Sequence, residues 1–183
     1  MQRPAVVYTV GHSTRPVDAF IALLAAHGVT ALADVRTVPR SRHNPQFGRE
    51  ALAASLASAG IAYRPFPGLG GFRRPRPDSP NAGWRNTSFR GYADYMQTAE
   101  FRGHLDALVD LAREQTVAVM CAEAVPWRCH RSLIADALTA RGIQVEHILS
   151  ATSRKSHTYT PFARVEGESV TYPALPLTET DRL

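Results

Sequence analysis

The chain has 183 residues, 44% hydrophobic and 20% charged, with 12 glycines and 13 prolines spread along it; this describes one globular domain, long enough to bury a core without disulfides or a structural metal. No apolar run approaches the roughly 18 residues of a membrane span, and the opening MQRPAVVYTVGHS holds a strand-length apolar run rather than a signal-peptide core, so a cytoplasmic protein with no membrane partner is expected. The formal net charge is +5, which points to anionic rather than cationic partners.

Residues 5–10, AVVYTV, read as a β-strand ending at Gly11-His12-Ser13. Ser13 or Thr14 is then the expected cap of a helix with Pro16 in its first turn, and Gly28 stops that helix. ALADV at 31–35 has the pattern of a buried strand and leads into the turn-rich RTVPRSRHNPQFG. Residues 49–59 read as an alanine-rich helix closed by Gly60, and IAYRP follows as a third strand. From Phe66 to Arg90 the chain is rich in Gly, Pro and Arg without hydrophobic periodicity, which predicts a long functional or flexible loop. Thr98 is the expected cap of a helix whose Phe101, Leu105, Leu108 and Ala112 repeat at helical spacing. TVAVM at 116–120 is a strand, CAEAVPWRCHR a loop, and SLIADALTARG a helix with Leu133, Ile134, Ala137 and Leu138 on one face. IQVEHIL at 143–149 closes the pattern as a last strand.

Strands alternating with helices predict an α/β fold: a single three-layer domain, mostly parallel sheet with helices on both faces. Residues 1–150 make that domain, and 151–183 an extension packed on it, adding short strands or wrapping it. Ligands in such sheets sit outside the carboxyl ends of the strands. That rule selects His12, Asp34 and Arg36, the Arg-rich loop, and the segment from Cys121 to Arg131.

Charge is concentrated. Between Arg36 and Arg90 lie ten arginines against Glu50 and Asp78, so this window is +8 and the remainder −3. Such a region attracts an anionic small molecule or a nucleic-acid backbone. Lys155 stands alone beside twenty arginines, a bias that genome composition also explains. Arg36, Arg42 and Arg131 are the expected anion clamps, since a guanidinium fork suits phosphate or carboxylate. Trp84, Phe89, Tyr92 and Tyr95 interleave with Arg85 and Arg90; Trp84 and Arg85 could stack a base and hold a phosphate, or the aromatics could be core.

Two cysteines, Cys121 and Cys129, are too few for a disulfide framework. Cys121 follows a buried strand and precedes a helix whose first turn includes His130, Arg131 and Ser132. Neighbouring cations and the positive end of a helix both favour a thiolate. Cys121 is therefore a candidate nucleophile, with Glu123 as acid or base and His12 as the group that deprotonates the thiol; equally, Cys121 could simply end a core strand. A second reading joins Cys121, Cys129 and His130 as zinc ligands with an open catalytic position, although the C-x7-C-H spacing is not that of common zinc sites. Asp34 either holds Arg36 or a histidine in place, binds a substrate hydroxyl, or forms a structural ion pair with Arg36. No P-loop string and no GxGxxG after a strand is present, so no nucleotide cofactor is expected.

VGHST, LADVRTVPRSR, Phe47, GIAYRPFPGLGG, WRNTSFRGYADYM and CAEAVPWRCHRSLIADAL together resemble the bacterial and archaeal family catalogued as domain of unknown function 488, over roughly residues 5–150. The resemblance implies a single α/β domain with His12, Asp34, Arg36, Arg42, Cys121, Glu123, Cys129, His130 and Arg131 at its signature positions, and implies no activity. The chain is also loosely similar to rhodanese-type sulfurtransferases, in Asp34-Val35-Arg36, Cys121 and Arg131-Ser132. The rhodanese loop, however, is short, whereas nine residues including Pro126 and Trp127 separate Cys121 from Arg131 here. The function expected is an enzyme acting on an anionic, phosphate- or nucleotide-like substrate at a Cys/Glu/His/Arg site. The alternative is a nucleic-acid-binding protein using the loop 64–92.

Overall fold

The computed structural model describes residues 5–176. Five strands, β1 (Val6–Gly11), β2 (Ala31–Asp34), β3 (Ala62–Pro65), β4 (Val117–Cys121) and β5 (Gln144–Ile148), run parallel, and β6 (Arg154–Ser156) lies antiparallel on β5. The order across the sheet is β3-β2-β4-β1-β5-β6. Helices α1 (Val17–Ala26), α2 (Arg49–Ser58), α3 (Thr87–Tyr95), α4 (Ala99–Glu114) and α5 (Arg131–Ala140) supply the crossovers. The fold is thus the α/β domain expected from the alternation of strands and helices.

Leftward crossovers carry α1 and α2 and rightward ones carry α3, α4 and α5, because a right-handed connection puts opposite directions on opposite faces. The core divides accordingly. Val10, Leu32 and Met120 meet Phe20, Leu24, Phe47, Leu52 and Leu56 on one side. Val7, Ala33, Val119 and Val145 meet Tyr92, Leu105, Leu108, Leu133 and Leu138 on the other. β1 and β4 are neighbours whose outgoing connections leave to opposite faces, so a crevice opens where their carboxyl ends, Gly11 and Cys121, pair.

Two local expectations are corrected. Neither Ser13 nor Thr14 caps α1: Pro16 holds the N-cap position with no side-chain hydrogen bond. Ser13 sits instead at φ +50° with its N–H on the Ala122 carbonyl at 3.0 Å, so it is spent on the turn after β1. The long Arg-rich stretch ends earlier than its composition suggests, because Asn86 accepts hydrogen bonds from Ser88 N and Phe89 N and starts α3. The C-terminal segment adds β6 and then a hairpin of β7 (Arg164–Glu166) and β8 (Ser169–Thr171), after which Tyr172 is buried in the core. Its anchor is Asp136 on α5, fully buried. That carboxylate accepts hydrogen bonds from His157 Nε2, Thr160 Oγ1 and Tyr172 OH, each at 2.7 Å, and from Thr160 N at 3.1 Å.

Candidate active site

A cleft of about 420 Å³ opens at the carboxyl edge. Cys121, Glu123, Cys129 and His130 line it together with Arg36 and Arg40 from the loop after β2, Arg128, and Phe72, Phe89 and Tyr92. Gly11 makes the arrangement possible. A Cβ there would collide with the Glu123 carbonyl and stand 2.8 Å from Ala124 Cα, so only glycine lets the loop after β4 fold back over the end of β1.

Cys121 is 2% exposed and its Sγ lies 3.7 Å from the Glu123 carbonyl oxygen. The neighbouring Cys129 thiol is the largest influence holding the Cys121 pKa below the ordinary thiol value; burial opposes this, and the positive charge of Arg131 adds to it. Cys129 is pushed up, first by the Cys121 sulfur beside it and then by burial. The pair shares its first ionisation, and the charge settles on Cys121. His130 supports it from beneath. Its Nε2 is 3.1 Å from the Val35 carbonyl, which can only accept, so Nε2 carries the proton and Nδ1 faces Cys129 Sγ at 3.4 Å as an acceptor. Burial lowers the His130 pKa to about 4, so the ring is neutral at pH 7.

Arg131, in the first turn of α5, is 1% exposed, and its Nη2 reaches the Ala124 carbonyl at 3.4 Å. Its Nε and Nη1 are buried without a partner. An uncompensated buried guanidinium is costly. The positive charge of Arg131 is one of the influences that lower the Cys121 pKa.

The second group of expected site residues is anchored on the opposite face of the sheet, from which Arg36 borders the cleft. Asp34 Oδ1 and Oδ2 accept from Arg36 Nε at 2.9 Å and Nη2 at 2.7 Å, and Tyr63 OH donates to Oδ2 at 2.6 Å. Asp34 is thereby spent on positioning Arg36 and is not free for a substrate hydroxyl. Burial opposes the Arg36 charge, yet Asp34 more than offsets it and raises the Arg36 pKa. His12 is not placed as the base of Cys121. Its ring stacks on Phe47 at 4.3 Å, Nδ1 is 2.8 Å from the Ser13 carbonyl, and Nε2 faces Arg36 Nη1 at 3.5 Å. The reason is strand alternation: Val10 and His12 point to the α1/α2 face, Val119 and Cys121 to the other.

The zinc reading does not fit. Among the described residues no three or more His, Cys, Asp or Glu side chains converge as a metal-ligand set, and both nitrogens of His130 are engaged, one on the Val35 carbonyl and one on Cys129. Arg42 and Arg85 are exposed and line no part of the cleft. Trp84 is half-buried against Phe89, Phe162 and Tyr172, and it borders a different cavity of about 350 Å³ with Trp127, His147 and His157. Of the expected anion contacts only Arg36 lines the cleft, Arg131 being buried behind it; Arg40 and Arg128 stand there instead of Arg42 and Arg85. Both stand in segments already singled out, after β2 and β4, and only the turn geometry distinguishes them from their neighbours.

The mostly parallel six-stranded sheet with helices on both faces makes this an α/β domain, with Cys121 and Cys129 lining the cleft at the carboxyl edge. The family model described as "Domain of unknown function DUF488" matches residues 16–138, and the chain belongs to that family. No curated protein and no solved structure gives a significant match to the chain. Among the described residues, no helix is long and apolar enough to cross a membrane.

Proposed function

We propose that the protein is an enzyme that uses the Cys121 thiolate as a nucleophile on an anionic substrate. The observation that carries this reading is Cys121 at the β1/β4 crevice, sharing a cleft with Cys129 and close to the buried Arg131 guanidinium, whose Nε and Nη1 have no partner. Arg131 and Cys129 stabilise the thiolate, and Arg36, held rigid by Asp34, joins Arg40 and Arg128 in drawing an anion into the cleft. Glu123, exposed at the mouth, is the acid/base group nearest the entering substrate. Two free cysteines suit a reducing compartment, and we place the protein in the cytoplasm. The nucleic-acid reading through the loop 64–92 is less well supported, because Trp84, Tyr92 and Tyr95 are committed to packing and the Trp84 indole N–H is buried.

Alkylation by iodoacetamide with peptide mapping tests the reading. Cys121 should react before Cys129, and inorganic phosphate, sulfate or adenosine monophosphate should slow it by occupying the cleft. Cys121→Ser should leave the fold intact and abolish the reaction at this site. A rate that none of the three anions alters would overturn the anionic-substrate reading.

A further inference from the structure

Cys129 does more in this cleft than a proton donor needs to do. It lines the same cavity as Cys121, eight residues further along the chain, and packs in the same buried cluster. Neither cysteine is bonded to another. On its far side Cys129 Sγ meets an acceptor, His130 Nδ1, at 3.4 Å, with the ring held in that tautomer by the Val35 carbonyl. A thiol adjacent to a nucleophilic sulfur, with its own proton acceptor, has the geometry of a resolving thiol. Arg36, Arg40 and Arg128 line the same cleft, and Arg40 and Arg128 are exposed.

We propose that Cys121 and Cys129 form a dithiol pair that reduces disulfides bearing carboxylate groups, with Cys129 resolving the mixed disulfide formed on Cys121. The inference rests on Cys121 being the nucleophile. In the first step the Cys121 thiolate attacks one sulfur of the substrate, the substrate S–S bond breaks, and the departing thiolate takes up a proton from solvent. In the second step Cys129 passes its proton by way of His130 Nδ1 to the second leaving thiolate and attacks Cys121 Sγ. The Cys121–Cys129 bond forms as the mixed disulfide breaks. The two protein thiols are oxidised by two electrons and the substrate disulfide is reduced to two thiols.

The test uses the full-length protein, pre-reduced and freed of reductant, mixed anaerobically with glutathione disulfide and read by intact mass, peptide mapping and released thiol. The wild type should yield a Cys121–Cys129 disulfide and about two equivalents of glutathione per chain. Cys129→Ser should stop at a mixed disulfide on Cys121 with about one equivalent released, and Cys121→Ser should release none. A wild type that accumulates the mixed disulfide overturns the proposal, as does a Cys129→Ser protein that releases as much thiol as the wild type. Iodoacetamide on the same samples separates the two ways to fail. If Cys121 resists alkylation as well, the nucleophile reading falls together with the inference; if Cys121 alkylates under anion control but never pairs with Cys129, the inference alone falls.

Discussion

Replacing Gly11 with alanine perturbs the site from outside the cleft. Gly11 pairs with Cys121 in the sheet, and the new Cβ would sit 2.5 Å from the Glu123 carbonyl carbon and 2.8 Å from Ala124 Cα. Carbon atoms in contact settle near 3.5–4.0 Å, so the loop after β4 would have to retreat by about 1 Å. Both colliding bodies are backbone, and β1 is held by its pairing with β4, so no side-chain rotation relieves the overlap. Overpacking of this kind costs about 3 kcal/mol at the upper end of its usual range, offset by about 0.4–1 kcal/mol from the stiffer unfolded chain. The expected net loss is about 2 kcal/mol in urea denaturation, with the fold retained. The retreating loop carries the Glu123 carbonyl beside Cys121 and the Ala124 carbonyl that holds Arg131. The midpoint of Cys121 alkylation against pH should therefore rise by about one pKa unit. Gly103→Ala is the control: it is exposed in α4 with no atom near the added Cβ, and it should stabilise by about 0.5–1 kcal/mol. Wild-type stability together with wild-type thiol kinetics in Gly11→Ala would refute the reasoning.

Stability should also fall in mild acid. Burial lowers His130 to about 4 and His147 to about 3 from an ordinary 6.5. Between those values the unfolded chain binds more protons than the native one, so stability is fully present above pH 6.5 and is lost as pH falls toward 4, by up to about 1.4 kcal/mol per pH unit for each ring. Urea midpoints that stay flat from pH 6.5 to 4.5 would contradict this. Asp136→Asn should cost about 3 kcal/mol, because an amide NH₂ would face donors from His157, Thr160 and Tyr172 that now bond a carboxylate. Hydrogen exchange should show residues 154–172 losing protection first, and a loss below about 1 kcal/mol would argue against this anchor.

Much of this architecture is legible in the sequence because strand and helix periods alternate cleanly from Val6 to Ile148. The thiol at the end of β4 is legible for the same reason, since carboxyl ends of parallel strands collect functional groups. The facing of His12 is a different matter. It lies on the α1/α2 side because of its parity with Val10, and that parity counts only once β1 is known to neighbour β4. Strand order is a long-range property that no local pattern encodes. The start of α3 at Asn86 is hidden by the glycines and prolines before it, although the Asn-Thr-Ser string is a capping signal. Asp136 left a trace as one acid on an otherwise apolar helix face, but its partners His157, Thr160 and Tyr172 lie 21 to 36 residues away.

The central claim is that Cys129 and Arg131 favour the Cys121 thiolate and lower its pKa. The direct measurement is the rate of Cys121 alkylation against pH in the wild type, Cys129→Ser and Arg131→Met. The account predicts a wild-type midpoint below the ordinary thiol value and a higher midpoint in both variants. A wild-type midpoint at or above that of an unperturbed thiol, unchanged in the variants, would contradict it.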